Sequence, residues 1–258
     1  MLAELVQLAP GGVEEEEGPG YVEYAVYGAP GEVPQPHDLE AVVGDGIVDV
    51  TSSRVPDDWA DRWRDFHKPL LVAGRLWVRP SWERRRDGAL DLVIDPGRAF
   101  GTGSHPTTRM CLELLVELAD AGGARGPLAD WGTGSGVLAI AGAKLGFEPV
   151  IACDHEPAAL EAASENAAAN GVELAVLRLN LRSEAPPTAP TAVANLTAPI
   201  LLGIASRLDR VPDRLICSGL LTDEADDISA AFSRRGLAER RRSIAGDWAA
   251  TLLASGSA

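Results

Sequence analysis

The stretch LADWGTGSGVLAI, residues 128–140, decides the fold of this chain. Its first four residues have the composition of a buried strand, and VLAI begins an apolar helical pattern. Gly132, Gly134 and Gly136 separate the two, and glycine lets backbone N–H groups approach a ligand closely. The N-terminus of a helix favours a negative or polar ligand group. The stretch therefore predicts a ligand site where a strand passes into a helix.

The same alternation of strand and helix extends from about residue 88 to the C-terminus. Apolar strands alternating with helices are typical of parallel sheets that are covered on both faces. We therefore predict an α/β fold with a doubly wound, mostly parallel, seven-stranded sheet of the class I methyltransferase type. Residues 1–55 read as a small α+β unit, in which the four glutamates at 14–17 are expected to form a solvated turn.

Composition places the chain among globular proteins of a reducing compartment. It has 258 residues, 46% hydrophobic and 24% charged, and its apolar runs are far shorter than a membrane span. Its first residues lack the features of a signal peptide, so we expect a cytoplasmic protein without membrane contact. Cys111, Cys153 and Cys217 are widely spaced without a CxxC pair, so neither a disulfide scaffold nor a metal site is expected.

The net charge of −15 bears on partners. An acidic chain is repelled by phosphate backbones, so no direct nucleic-acid partner is expected. A basic protein would be attracted, although the same acidity could serve only solubility. We expect a monomer.

An acid lies at a distance from the glycine loop that suits nucleoside binding. Asp154 follows the next predicted strand, and a carboxylate there can accept hydrogen bonds from both ribose hydroxyls. A dinucleotide site needs a third glycine at position 137, where this chain has Val137. The pattern GxGxG with a later acid is typical of S-adenosylmethionine methyltransferases. The alternative is a tight turn with an aspartate that caps a helix.

A second loop, DPGRAFGTGSHPTT at 95–108, precedes another amphipathic helix. Pro106 and the two threonines suit a helix start. Thr107 or Thr108 could offer a hydroxyl to a ligand or to free helix N–H groups. Phe100 offers a flat apolar face. The loop is therefore predicted to form a second wall of the cofactor pocket.

Asn195 ends the predicted fourth strand of the sheet, in AVANLTAP. In the methyltransferase strand order, that strand ends beside the methyl group that is transferred. The functional interpretation is an amide that touches the cofactor or orients the target amine. The alternative is an asparagine that caps a strand-to-helix turn.

Together these stretches resemble the PrmA family, methyltransferases of large-subunit ribosomal protein eleven. The segments at 58–83 and 246–253 resemble its inter-domain linker and final strand. The resemblance implies S-adenosyl-L-methionine as cofactor, with lysine ε-amines and an N-terminal α-amine of a basic ribosomal protein as substrates. It implies Asn195 as the catalytic residue. The implied cofactor-binding residues are Thr108, Gly132, Asp154 and Asn195, with Phe100, Thr107, Gly134 and His105 beside them. For His105 the alternative is a hydrogen bond that braces the loop.

The resemblance also implies a division into three parts. Residues 1–55 would form a small recognition domain, a reduced version of the family's ferredoxin-like domain. Residues 56–77 would form a helical linker about which the domains reorient, and residues 78–258 the methyltransferase domain. The shortened N-terminal unit motivates an alternative substrate, either another protein or a small amine. A cofactor-binding protein without catalysis and a nicotinamide oxidoreductase are the remaining alternatives, and cofactor-binding assays discriminate the oxidoreductase.

Overall fold

The computed structural model describes residues 14–18, 21–25, 68–95, 103, 105–124 and 126–256. Contacts divide the chain into two units, Met1–Phe66 and His67–Ala258. The helices predicted near the N-terminus and in the linker lie outside the described residues. The assignment of recognition, linker and catalytic roles to 1–55, 56–77 and 78–258 stays a prediction.

The described part of the first unit is a two-stranded antiparallel ladder. Strand β1 (Glu14–Gly18) pairs with β2 (Tyr21–Ala25), and Gly18 lies opposite Tyr21. The prediction of a strand at Tyr21 is confirmed, whereas the prediction of a turn at the glutamates was wrong. The β-branched and aromatic residues of β2 offer a pairing partner, and charged side chains are tolerated on an edge strand.

A small three-stranded sheet opens the second unit. Its strands are β3 (Leu70–Val72), β4 (Leu76–Arg79) and β5 (Leu90–Val93), with β3–β4 antiparallel and β4–β5 parallel. Strand β4 spans residue 77, the predicted end of the linker. The strand predicted at LDLVI is thus present, but it pairs here and does not join the main sheet. Arg79 locks this sheet through a two-pronged ion pair with Asp91, at 2.7 and 2.8 Å.

The main sheet has the predicted seven strands. They are β6 (Leu128–Trp131), β7 (Val150–Asp154), β8 (Ala175–Arg178), β9 (Thr191–Asn195), β10 (Arg214–Leu221), β11 (Leu237–Ala245) and β12 (Trp248–Ser255). Their spatial order is β11-β12-β10-β9-β6-β7-β8. Strands β8, β7, β6, β9 and β10 are parallel, and β12 is antiparallel to both of its neighbours. The prediction of a doubly wound, mostly parallel sheet is confirmed.

Helices cover both faces of this sheet. They are α1 (Pro106–Asp120), α2 (Val137–Leu145), α3 (Pro157–Asn170), α4 (Ala198–Arg207) and α5 (Ala225–Ser233). Successive residues of β6 show why two layers are needed, because Leu128 packs in the core on the α1–α2 side and Trp131 in the core on the α4–α5 side. A strand buried on both faces reads as a continuous apolar run. Among the described residues, no helix is both long and apolar enough to cross a membrane.

The strand order places the ligand crevice. The chain runs outward from β6 through β7 to β8 and then returns to form β9 on the other side of β6. In open α/β sheets, ligands bind beyond the carboxyl ends of the strands where the order reverses in this way. The carboxyl ends of β6, β7 and β9 carry the glycine loop, Asp154 and Asn195.

Candidate active site

The glycine loop is tied to the end of β7 by its backbone. The N–H groups of Gly132 and Thr133 both donate to the carbonyl of Cys153, each at 2.9 Å. Gly132 has a φ of 79°, a conformation that residues with a side chain rarely adopt. The loop therefore lies along the crevice with its peptide groups exposed to a ligand.

Asp154 braces this loop from the adjacent strand. Its Oδ2 accepts the Gly134 N–H at 3.0 Å, and its Oδ1 accepts those of His155 and Glu156 at 2.7 and 3.1 Å. A carboxylate offers roughly four acceptor positions, so about one remains for a ligand hydroxyl. Asp154 thus performs the bracing role weighed as the alternative, and it retains capacity for a ribose.

Asn195 and Thr108 meet across the crevice. The Asn195 Nδ2 donates to the Thr108 Oγ1 at 3.1 Å, although the residues are 87 positions apart. Thr108 is buried in the first turn of α1, and Asn195 ends β9. Because the amide nitrogen is held by Thr108, the Asn195 Oδ1 is the atom left to accept a hydrogen bond from an amine.

Asp130, which the sequence analysis did not single out, lies behind the loop and is fully buried. Its Oδ2 accepts the Thr133 hydroxyl at 2.7 Å and the Ala139 N–H at 3.1 Å, so it joins the loop to α2. Its Oδ1 has no hydrogen-bond partner among the described residues. Burial raises the pKa of Asp130 to about 7, against the hydrogen bonds from Thr133 and Ala139, which lower it. Its place two residues before Gly132 was the available signal.

Replacing Asp130 by asparagine should change how stability depends on pH. The folded-state pKa of Asp130, about 7, lies above the ordinary 3.8, so its contribution to stability is largest at low pH and is lost as pH rises through 7. Between about pH 5 and pH 7, the wild type should lose about 2 kcal/mol of unfolding free energy relative to Asp130→Asn. Urea unfolding at several pH values measures this difference. The exposed Asp87→Asn is the control, and parallel pH profiles for wild type and Asp130→Asn would contradict the prediction.

The crevice forms a cavity of about 220 Å³. Its polar side consists of the glycine loop, Asp154, Thr108 and Asn195, and its apolar side includes Leu179, Leu181, Leu196 and Ile200. The sequence analysis missed the wall that follows β8, which also includes Asn180 and Arg182. Only its position after a strand of the sheet could have indicated it.

Two buried donors hold this wall in place. The Trp131 Nε1 donates to the carbonyl of Pro187 at 3.1 Å. The Arg207 Nη2, from the end of α4, donates to the carbonyl of Leu181 at 2.6 Å. The connection between β8 and β9 contains no helix or strand, so these bonds to the core define its position.

The structure brings Thr108, Gly132, Gly134, Asp154 and Asn195 to this one cavity. His105 and Thr107 do not line it. His105 is the N-cap of α1, with its Nδ1 2.7 Å from the Thr107 Oγ1, and its ring meets Trp248 edge to face at 5.1 Å. Burial lowers the pKa of His105, which favours the neutral ring. The bracing alternative thus describes its contacts here, and cofactor contact by His105 and Thr107 stays a prediction. Phe100 lies outside the described residues.

The three cysteines are free and buried. Burial raises the pKa of all three thiols, that of Cys153 to about 12. A thiol in that state is a poor nucleophile. Within the described ranges, no three His, Cys, Asp or Glu side chains cluster as metal ligands would.

The donor set suits S-adenosylmethionine. Asp154 can accept a ribose hydroxyl, the exposed peptide groups of Gly132–Gly134 can face the methionine part, and the leucines of the β8–β9 wall offer an apolar surface for the adenine. Asn195 and Thr108 then lie at the end of β9, on the opposite side of the glycine loop from Asp154. The residues present therefore fit the predicted cofactor.

Comparison with known proteins agrees with this geometry. A family model described as "Ribosomal protein L11 methyltransferase (PrmA)" matches residues 38–255. A protein named ribosomal protein L11 methyltransferase from Azotobacter vinelandii is 42% identical over 200 residues, which cover 75% of this chain and 68% of that protein. The corresponding protein of Heliobacterium modesticaldum is 40% identical over 201 residues, covering 75% and 63%. The chain thus spans about two thirds of the length of these relatives.

A solved structure is similar as well. The crystal structure of ribosomal protein L11 methylase from Lactobacillus delbrueckii subsp. bulgaricus has a TM-score of 0.65 and 31% sequence identity to this chain. The match covers 72% of this chain and 98% of that one.

Proposed function

The chain belongs to the ribosomal protein L11 methyltransferase family, and on that premise we propose that it transfers methyl groups from S-adenosylmethionine to amino groups of ribosomal protein L11. The observation that carries the proposal is the meeting of Asp154, the glycine loop and the Asn195–Thr108 pair in one cavity. The lysine ε-amines and the N-terminal α-amine are the groups proposed as acceptors. The shared description of the relatives favours this substrate over a small amine.

S-adenosylmethionine supplies a methyl group on a sulfonium, which already contains a good leaving group. The protein's task is therefore to place the acceptor amine in line with that methyl, because proximity and orientation supply most of the rate. We assign this placement to the Asn195 Oδ1 and the backbone carbonyls beside it. Thr108 fixes the amide so that its oxygen faces the cavity.

The acceptor amine must be neutral before it attacks. A free lysine has a pKa of ~10.4 and an α-amine one of ~7.7–8.0, so an ammonium must lose a proton. Leu181, Leu196 and Ile200 give this end of the cavity apolar character, which disfavours the charged form of a bound amine. We therefore propose no catalytic triad, with proton loss to water.

The charge of the chain fits a basic substrate. The net charge of −15 attracts a lysine-rich protein and repels nucleic acid. We propose that the chain acts as a cytoplasmic monomer on the ribosomal protein itself, without binding nucleic acid or membrane. The predicted linker at 56–77 would let one recognition domain present several amines.

Mass spectrometry tests the substrate directly. Ribosomal protein L11 is incubated with the full chain and S-adenosylmethionine, and mass increments of about 14 Da per methyl are expected. Peptide mapping should assign them to lysines and to the N-terminus. Parallel incubations without S-adenosylmethionine and with a basic ribosomal protein other than L11 are the controls. Methylation of neither protein, or of both equally, would contradict the proposed substrate.

A further inference from the structure

The end of β9 is held in place by an irregularity in the neighbouring strand. We infer that a bulge at Ser218–Gly219 positions Asn195 and Leu196 for methyl transfer, and that Gly219 is a positioning residue of the reaction. This inference rests on the proposed function of Asn195. It concerns residues outside both the glycine loop and the opening loop.

The bulge lies in β10. Pairing with β12 runs from Arg214–Ala254 to Cys217–Thr251 and resumes at Leu220–Ala249, so β10 contains one extra residue. Such a bulge bends the strand and redirects its backbone. The buried Ser218 Oγ donates to the carbonyl of Ala249 at 2.9 Å and thereby ties the bulge to β12.

The bulge contacts the backbone of Leu196. The Ser218 carbonyl accepts the Leu196 N–H at 2.9 Å. Gly219 has a φ of 82°, and a Cβ on it would lie 2.6 Å from the carbonyl oxygen of Leu196 and 2.9 Å from its nitrogen. Since backbone atoms cannot turn aside as a flexible side chain can, any side chain at 219 would displace Leu196.

The side chain of Leu196 is confined on its other side by the glycine loop. A Cβ on Gly132 would lie 2.4 Å from the Leu196 Cδ2. Leu196 is thus enclosed between two glycines, with its backbone against Gly219 and its side chain against Gly132. Its position sets the separation between the cofactor loop and the end of β9.

Asn195 takes its place from this arrangement. Its main chain pairs with Ser218 in the parallel ladder, and its side chain is held by Thr108. A shift of Leu196 would move the Asn195 carbonyl and amide together relative to the bound methyl donor. An error of about 1 Å in such placement can lower a rate about 100-fold. Cofactor binding through Asp154 would be little affected, because Asp154 is on β7.

The test compares Gly219→Ala with Gly236→Ala in the full chain. Gly236 has a φ of 92°, but a Cβ there would meet nothing within 4 Å, so it shares the backbone strain without the contact. Relative to this control, Gly219→Ala should have a kcat for L11 methylation at least about tenfold lower. The Kd for S-adenosylmethionine should stay within about threefold, and the loss in Tm should be similar. Equal kcat values, or a loss confined to cofactor affinity, would overturn the inference.

Two further measurements separate this inference from the proposed function. The Asn195 side-chain NH2 resonance, identified by its absence in Asn195→Ala, should shift in Gly219→Ala but not in Gly236→Ala, and this holds whatever the substrate. An unmoved resonance overturns the inference, whereas an inactive wild type contradicts only the proposed function. If Gly219→Ala does not fold, Leu196→Ala takes its place. It should lower kcat at least about fivefold with little change in Kd, and an unchanged kcat would overturn the inference.

Discussion

Replacing Asn195 by alanine should lower kcat for L11 methylation about 100-fold, because the acceptor amine loses the amide oxygen that orients it. The affinity for S-adenosylmethionine should fall less than about tenfold, since Asp154 and the glycine loop remain. Single-turnover methylation at saturating S-adenosylmethionine measures the chemical step, and isothermal titration calorimetry measures the Kd. The effect should therefore fall mainly on kcat.

Thr108→Val gives the comparison that isolates the role of the Asn195–Thr108 hydrogen bond. Valine keeps the shape of threonine but removes the Oγ1 that accepts from Asn195 at 3.1 Å. The Asn195 amide would then be free to rotate, so an intermediate loss in kcat is expected. A wild-type kcat in Asn195→Ala, or a loss that lies entirely in cofactor affinity, would mean that Asn195 does not orient the amine.

Replacing Asp154 by asparagine should weaken S-adenosylmethionine binding by about 1.5–3 kcal/mol, which is about 10- to 150-fold in Kd. The ribose loses a charged acceptor. In addition, an amide nitrogen cannot accept the backbone N–H groups that now bond to one of the two carboxylate oxygens. The variant should therefore lose affinity both directly and by loosening the glycine loop. Isothermal titration calorimetry with S-adenosylmethionine and S-adenosylhomocysteine measures the change.

The control for this change is Glu161→Gln, which removes one negative charge from an exposed position on α3. Its Kd should match that of the wild type, so a general charge effect is separated from a local one. Thermal unfolding of both variants shows how much Asp154 contributes to stability. If Asp154→Asn lowers Tm but leaves the Kd within twofold of the wild type, Asp154 is only a brace.

The layered architecture could be predicted because it depends on local patterns. Apolar strands such as VIACD alternate with helices whose starts contain proline, as at Pro106 and Pro157, and whose ends contain glycine, as at Gly171. Helix periodicity and end residues are short-range properties. The wrong turn at residues 14–17 shows the converse, since the strand there depends on a partner at 21–25.

The candidate site was predictable only in part. The glycine loop and Asp154 belong to one strand–loop–helix–strand unit, so their spacing in the sequence reports their spacing in the fold. His105 and Thr107 share the loop of Thr108, but helix geometry directs Thr108 to the cavity and leaves His105 to cap α1. The wall after β8 contains no motif, because its position depends on distant donors at Trp131 and Arg207.

By itself, the sequence determined the doubly wound fold, the nucleoside-binding loop with its acid, and a resemblance to one methyltransferase family, because each rests on residues close together in the chain. Tertiary structure alone decided three other features. Asn195 meets Thr108 across 87 positions, Asp130 is buried so deeply that its pKa rises to about 7, and Leu196 is enclosed between Gly132 and Gly219. Each of these depends on packing between strands and helices that are far apart in the chain, and such packing exists only once the sheet has formed.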